Sequence, residues 1–553
     1  MLKIISSLEK CFLDESITTK TTLKKASMLK NEVFRFEACY VLDRVPKELE
    51  SNKRIVKLEI ESPLAQYIRV WKVDHVPVKV PAESHRYNGD LLRTTPGLYP
   101  DLLTPLRDDH RLMMYKNLES LYFEIDTKGE VAPGEYTVTI NLFNEADGQL
   151  SDSAALTVNI INAQLPQQDI NVTQWFYCDC LQTFYGTESF DERHWAIIEK
   201  FMAMAVSHGI NTILTPVFTP PLDTHKGGER PTTQLVDVTL ENGEYSFGFD
   251  KLSRWVDLCD KLGVKNFEIS HFFTQWGAGH APKVMATVEG EYKRIFGWDT
   301  DATGAEYTKF LRSFIPQLLA FMKSKNGADK RCWFHISDEP SLDHLEQYKA
   351  SRSVVADLLN GYPIIDALSN YEFYEQGIID NPIPSTDHAE EFYNHNVPDL
   401  WCYYCIGQWD MVSNRFLSMP GSRTRIIGTQ FYKYNIAGFL QWGYNFYYNQ
   451  GSYGAVNPYV STDGECFAPS GDTFSVYPGY GGEPLPSIRL KLFHDALQDL
   501  AAFKLCERLY GKEFVLNLME EGEGPITFSQ FPRDNGYILS LREKVNAAIA
   551  AKV

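Results

Sequence analysis

The residues Arg331-Cys332-Trp333-Phe334-His335-Ile336-Ser337-Asp338-Glu339-Pro340 carry a short apolar run directly into two adjacent carboxylates. An apolar run of this length reads as a buried strand. In a barrel of parallel strands, catalytic groups stand at the ends where such strands stop. Side chains along a strand alternate between faces, so Asp338 and Glu339 reach one pocket only if the chain bends there. Pro340 favours the bend, because it disfavours the α region at Glu339 and delays the next helix. Two carboxylates this close cannot both ionise freely. One keeps its charge and raises the pKa of the other, which divides a base or stabiliser from an acid. The plainer reading is that both acids cap a helix beginning near Ser341, where the helix dipole favours anions.

Other strand ends supply candidate substrate-binding groups. Trp442 and Tyr444 follow the last strand and form either an aromatic floor for a sugar or ordinary packing. Tyr404 and Asn370 offer a hydroxyl and an amide, against the reading of hydrogen-bonded loop residues. Tyr177, Asp179 and His271 follow the first and third strands as pocket-lining candidates, although a lone His is commonly satisfied by a neighbour. Cys178-x-Cys180 and Cys402-x-x-Cys405 have short thiolate spacings of the zinc type. Both lie in apolar runs, where Cys behaves as a small buried hydrophobe. No metal and no cofactor is expected. The sequence contains no His-Glu-x-x-His, Gly-x-Ser-x-Gly or phosphate-loop pattern, and no basic P-loop residue follows Gly479-Tyr480-Gly481-Gly482.

The elements that must position these groups follow from periodicity. From about Phe34 to Ile161 short alternating runs are broken by turns, as in Ile55-Val56-Lys57-Leu58-Glu59-Ile60 and in the run 136–142 after Pro133-Gly134. This predicts an antiparallel β-sandwich over 1–165. Beyond a polar linker at Pro166-Gln167-Gln168 the rhythm becomes strand, helix, strand, the pattern of parallel sheets with helical crossovers. Strands are predicted at 173–177, 212–215, 266–270, 332–336, 364–367, near Ile383, 400–404 and 439–442, the eight that close a (β/α)8 TIM-type barrel over 166–485. Pro382 and Pro384 make the sixth the weakest. Ser189 and Glu192 predict a capping box for a helix burying Trp195, Ile198, Met202 and Ala205, ended by Gly209. A second helix carries Leu252, Trp255, Val256 and Leu262 and closes at Gly263. After Pro486 a helical pattern (Leu490, Phe493, Leu497, Leu500) opens a small, mostly helical C-terminal region, 486–553. The expected fold class is therefore multidomain: sandwich, barrel and C-terminal region.

Composition narrows the partners. With 53 basic and 72 acidic residues the formal charge is −19, which repels nucleic acid and anionic membranes alike. Neither is expected as a partner, and no apolar run is long enough to span a bilayer. The first residues lack the apolar stretch of an export signal, and 10 scattered cysteines resemble reduced thiols more than a disulfide framework. A cytoplasmic location is expected. The aromatic content of 13% suits a sugar-stacking surface and a large core equally. Oligomeric state cannot be read.

His335-Ile336-Ser337-Asp338-Glu339-Pro340 resembles the signature of the domain-of-unknown-function family 4091, which is related to glycoside hydrolase family 123. The likeness continues at 175–180, Pro216-Val217-Phe218-Thr219-Pro220-Pro221, Trp276-Gly277-Ala278, 438–445 and Tyr477-Pro478-Gly479. It implies a carbohydrate substrate and a β-N-acetylgalactosaminidase-like activity of the substrate-assisted, retaining kind. The 2-acetamido oxygen of the sugar would attack its own anomeric carbon. Asp338 would then orient and stabilise the acetamido group, and Glu339 would serve as general acid and base. Two other functions stay open. One is a retaining glycosidase on a 2-hydroxy sugar with a second carboxylate, such as Asp179 or Glu268, as nucleophile. The other is a non-catalytic carbohydrate-binding protein, although binding alone needs no adjacent acids.

Overall fold

Two five-stranded sheets account for the alternating pattern of the N-terminal segment. The computed structural model describes residues 1–42, 55–82 and 90–553. The parts of the sandwich expectation that fall on 43–54 and 83–89 lie outside these residues. One sheet runs in the order Leu2–Ser6, Val33–Tyr40, Glu119–Asp126, Ile68–Val78, Gly97–Pro105, antiparallel throughout. The other runs Lys25–Leu29, Leu150–Ile161, Gly134–Asn144, Ile55–Glu61, Arg111–Met113. Only its edge strand Lys25–Leu29 pairs in parallel. Period-2 alternation turns Phe36, Ala38, Leu121 and Phe123 of the first sheet toward Leu58, Val138, Ile140 and Leu156 of the second in one core. Phe36 and Phe123 stack within it at 4.9 Å.

These sheets form one compact unit, Met1–Gln168, together with Ser413–Lys433 and Leu485–Val553. The predicted C-terminal helix is Ile488–Tyr510, capped by the Ser487 side chain. Its apolar stripe is buried as expected, but Arg489, Lys491, Asp495, Gln498 and Asp499 are buried too. Buried charges need partners, and the unit supplies them. Arg489 donates to both Asp101 oxygens at 2.8 Å, and Lys491 donates to Glu124 at 2.9 Å. Arg35 bridges Glu124 and Asp495.

The second unit is Asp169–Val412 with Tyr434–Pro484. Its centre is a six-stranded, wholly parallel sheet ordered Cys332–Phe334, Asn266–Ile269, Thr212–Thr215, Asn171–Gln174, Gly438–Gln441, Trp401–Tyr403, the curved wall of a half-barrel. Strands Ile365–Ala367 and Asn381–Ile383 pair in parallel beside it, and single parallel bridges join Phe334 to Ile364 and Ser385 to Tyr403. Pro382 is tolerated because its strand has a regular ladder on one side only.

Local chemistry departs from the sequence reading in two places. The helix Glu192–Ser207 is capped by Asp191, whose carboxylate accepts from His194 N–H at 2.6 Å. Ser189 instead donates to Thr232 and Gln182, so the predicted capping box does not form. A four-stranded sheet of two hairpins, Asp237–Glu241 with Glu244–Gly248 and Val284–Val288 with Glu291–Phe296, was not predicted. Its signal lies in Asn242-Gly243 and Glu289-Gly290, both at positive φ, as a two-residue hairpin turn requires.

Gly438 allows the sheet to pack. A Cβ there would lie 2.0 Å from the ring of Trp401 on the neighbouring strand, and Trp401 is held against Trp333 at 5.0 Å. Gly438→Ala is expected to cost about 1–3 kcal/mol or more by overpacking, read as a lower melting temperature in scanning calorimetry. Melting together with the wild type would mean that Trp401 yields.

Candidate active site

The bend predicted after the 332–336 run is present, and its geometry is more extreme than Pro340 alone implies. Cys332–Phe334 stops early, and Glu339 has φ +43°. This is a correction: Pro340 accompanies a left-handed turn at Glu339, not an extended residue. Two backbone bonds hold the turn. Trp276 N–H donates to the Asp338 carbonyl at 2.9 Å, and Glu339 N–H donates to the Ala367 carbonyl at 3.0 Å. Such a conformation costs a non-glycine residue roughly 1–2 kcal/mol. The loop opposite is strained as well, with Trp276 and Ala278 at positive φ on either side of Gly277.

The turn points both acids into a cavity of about 170 Å³. Its walls include Trp175, Tyr177, Trp276, Tyr403, Trp442 and Phe467. Asp338 is half-buried and Glu339 exposed. Desolvation pushes the Asp338 carboxyl well above the usual carboxylate range, the charge of Glu339 adds to this, and His335 opposes it. The Tyr403 hydroxyl donates to Glu339 Oε1 at 2.7 Å, and Cys405 Sγ lies 3.9 Å from the same oxygen. The helix beyond is capped locally, with Ser341 N–H donating to His344 Nδ1 at 3.4 Å. The carboxylates are thus left to the cavity.

Beneath the acids lies a buried polar network. His335 donates from Nε2 to Glu268 at 2.7 Å and from Nδ1 to Asp366 at 3.2 Å. The two carboxylates lift its pKa to about 9 against the opposing effect of burial. Asp366 also accepts from Ile336 N–H at 3.0 Å and from the Tyr348 hydroxyl, which ties down the strand just before the acids. Glu268 further accepts from Trp175 Nε1 at 2.7 Å and from Thr173. His271 stacks on His335 at 4.1 Å, and burial, reinforced by that neighbouring charge, holds it neutral. Ligand atoms of His271, His335 and Asp366 lie within 4.8 Å of one another. Both nitrogens of His335 are engaged with carboxylates, whereas neither ring nitrogen of His271 has a hydrogen-bond partner among the described residues.

Of the residues singled out from the sequence, Asp338, Glu339, Tyr177 and Trp442 meet at the cavity. Trp442 is fixed by donating Nε1 to Asp472 at 2.8 Å. The others lie elsewhere. Asp179 is buried against Arg230, 3.4 Å from its Nε. His271 belongs to the network below. Tyr444 is fully buried, stacked on Phe176 and donating to the Phe201 carbonyl. Tyr404 is buried against Phe439, and Asn370 is half-buried in the turn before 372–375. Strand parity explains Tyr404: Trp401–Tyr403 presents Tyr403, not Tyr404, to the cavity. Sequence reasoning also missed Trp276, 55% exposed, and Asp223, whose carboxyl desolvation pushes up to about 7. Trp276 stood in a quoted block, whereas Asp223 follows a proline-rich loop with no local mark.

The His335 network has a thermodynamic signature. Its folded pKa is raised from 6.5 to about 9, so its stabilisation is complete below 6.5 and disappears as pH rises through 9. The amount is about 3 kcal/mol. The wild-type melting temperature is expected to fall across this window, while His335→Gln, less stable below it, shows a flatter profile. Parallel profiles would remove the charge from His335.

Comparison with known proteins follows the same outline. None of the curated proteins compared matches the chain. A family 123 glycoside hydrolase from Clostridium perfringens, whose structure addresses glycolipid glycan hydrolysis, has the same fold with a TM-score of 0.72. The two are 13% identical, over 100% of this chain and 97% of that one. A family 39 glycoside hydrolase from Bacteroides cellulosilyticus WH2 reaches a TM-score of only 0.31 at 10% identity, over 81% and 83% of the two chains, too weak a likeness to carry an argument. Residues 175–506 match the family described as glycoside hydrolase 123, catalytic domain, a span that contains every residue lining the cavity. The chain therefore belongs to glycoside hydrolase family 123 and is a glycoside hydrolase.

Proposed function

We propose that the enzyme cleaves a 2-acetamido-2-deoxy sugar, of the β-N-acetylgalactosaminide type, by a retaining, substrate-assisted route. The observation that carries this reading is the pair itself: Asp338 and Glu339 face one cavity side by side. An enzyme nucleophile must stand across the sugar ring from the acid. Adjacent acids suit a reaction in which the nucleophile belongs to the substrate. The acetamido oxygen attacks the anomeric carbon, the glycosidic C–O bond breaks, and Glu339 gives its proton to the departing oxygen. Water then attacks the cyclic intermediate, Glu339 takes back a proton, and the acetamide is restored.

One proton shared by the pair serves this division. Desolvation favours the protonated form of Asp338. The acetamido N–H, by donating to Asp338, favours its charged form and leaves the proton to Glu339. Tyr403 occupies Glu339 Oε1, which leaves Oε2 to carry the acid proton. The alternative with Asp179 or Glu268 as nucleophile draws no support, because both are buried in partnerships of their own.

The same reading takes the eight parallel strands of the second unit as a (β/α)8 barrel, the single bridges at Ile364 and Ser385 completing its circuit. It retains 1–165, 166–485 and 486–553 as the functional divisions of the chain. It also keeps the narrower likeness to the domain-of-unknown-function family 4091, carried by His335 to Pro340. Among the described residues no helix is long and apolar enough to cross a membrane.

Aryl glycosides that differ only at carbon 2, acetamido against hydroxyl, test the route with wild type, Asp338→Asn and Glu339→Gln. Only the acetamido series should turn over, and each variant should lose most activity. Equal cleavage of hydroxyl sugars would end the substrate-assisted mechanism while leaving the hydrolase. Tyr403→Phe removes one hydrogen bond to a charged group, about 1.5–3 kcal/mol, so kcat should fall roughly 10- to 100-fold with KM little changed. An unchanged kcat would deny Tyr403 its positioning role.

A further inference from the structure

A third carboxylate reaches the cavity from a separate loop. Asp223 follows strand Thr212–Thr215 and the proline-rich stretch after it. It is held from several sides. Its backbone lies at φ +42°, its N–H donates to Gln275 Oε1 at 2.5 Å, and its carbonyl accepts from the Ser452 hydroxyl at 2.7 Å. Oδ2 accepts from Gly451 N–H at 3.2 Å. Among the described residues Oδ1 receives no donor from the chain, and the residue lines the cavity.

The rest of the wall gives this oxygen its meaning. The lining residues are largely aromatic and apolar, with three carboxylates and no cationic side chain. The Tyr403 hydroxyl and Gln275 Oε1 are already engaged, with Glu339 and Asp223 respectively. An acceptor fixed in such a wall matches a hydroxyl donor on the sugar, while an anionic ester there would face three acids with no cationic side chain in the wall itself. The nearest guanidinium, Arg230, lies behind Tyr177 and is committed to Asp179.

We propose that Asp223 is a specificity-determining residue, whose free oxygen accepts a hydrogen bond from one ring hydroxyl of the bound sugar and excludes sugars bearing a sulfate or phosphate ester at that position. This rests on the cavity being the glycoside site, but not on the acetamido mechanism. A site built to bond a hydroxyl discriminates strongly against the analogue lacking it, because its buried acceptor is left unpaired.

The test is a cycle of substrates and variants. Aryl glycosides with the 3-, 4- or 6-hydroxyl removed in turn, and their sulfate esters, are offered to wild type, Asp223→Ala and Asp223→Asn. The cycle uses whichever carbon-2 series turns over, so failure of the acetamido reading leaves this test intact. In the wild type, one deoxy position should lower kcat/KM roughly 10- to 100-fold. In Asp223→Ala that penalty should shrink to about twofold or less, while the penalties at other positions persist. The ester at that same position should gain relative to the parent substrate in both variants. Loop damage would scale all substrates alike. Unchanged ratios, or no penalised position in the wild type, overturn the proposal. Turnover of neither series overturns it together with the reading on which it rests.

Discussion

Two neighbouring side chains on a strand point to opposite faces, and the candidate site exists because the chain violates that rule at one residue. The positive φ of Glu339 turns its carboxylate to the side that Asp338 already occupies. Such a turn is intrinsically unfavourable for a residue with a Cβ. It persists because the surroundings over-determine it: Trp276 donates to the carbonyl before the turn, and Glu339 N–H reaches Ala367. The loop that supplies Trp276 is itself strained at two residues, Trp276 and Ala278. Strain on both sides of one cavity, held by bonds across it, is what a site requires when its groups must be in place before the substrate arrives.

Placing two acids together raises an electrostatic problem that the layer below helps to solve. The imidazolium of His335 sits between Glu268 and Asp366 and lowers the tendency of Asp338 to remain protonated. Asp366, in turn, accepts backbone N–H groups of Ile336 and Ser337. The same carboxylate thus steadies the charge on His335 and the path of the strand. A buried charge is tolerated only when fully paired, and here the pairing doubles as alignment. The first unit uses the same device through Arg35, Lys491 and Arg489 with Glu124, Asp495 and Asp101.

The upper wall of the cavity comes from separate segments. Trp276, Asp223, Tyr403 and Trp442 follow or end four different strands and converge because those strands run parallel. Parallel order brings all their carboxyl ends to one side, so loops distant in sequence become neighbours. The result is an aromatic chamber with acids at fixed points, which suits a neutral, hydroxyl-rich ring.

The sequence by itself determined the parts that depend on local periodicity and on single-residue chemistry. Alternation marked the sandwich strands, apolar runs marked the parallel strands, and the abrupt carboxylate pair after 332–336 marked the acids. What only the tertiary structure decided was which side chains share a space. Strand parity chose Tyr403 over Tyr404. Burial withdrew Tyr444, Asp179 and His271 into packing, an ion pair and a stacked imidazole network. Asp223 and Trp276 came forward because loop conformation, including positive φ at both, is set by long-range hydrogen bonds such as that from Asp223 N–H to Gln275. Periodicity is a property of neighbours along the chain, whereas a binding cavity is a property of neighbours in space. The two coincide only where a strand end carries its own chemistry, as it does at Asp338 and Glu339.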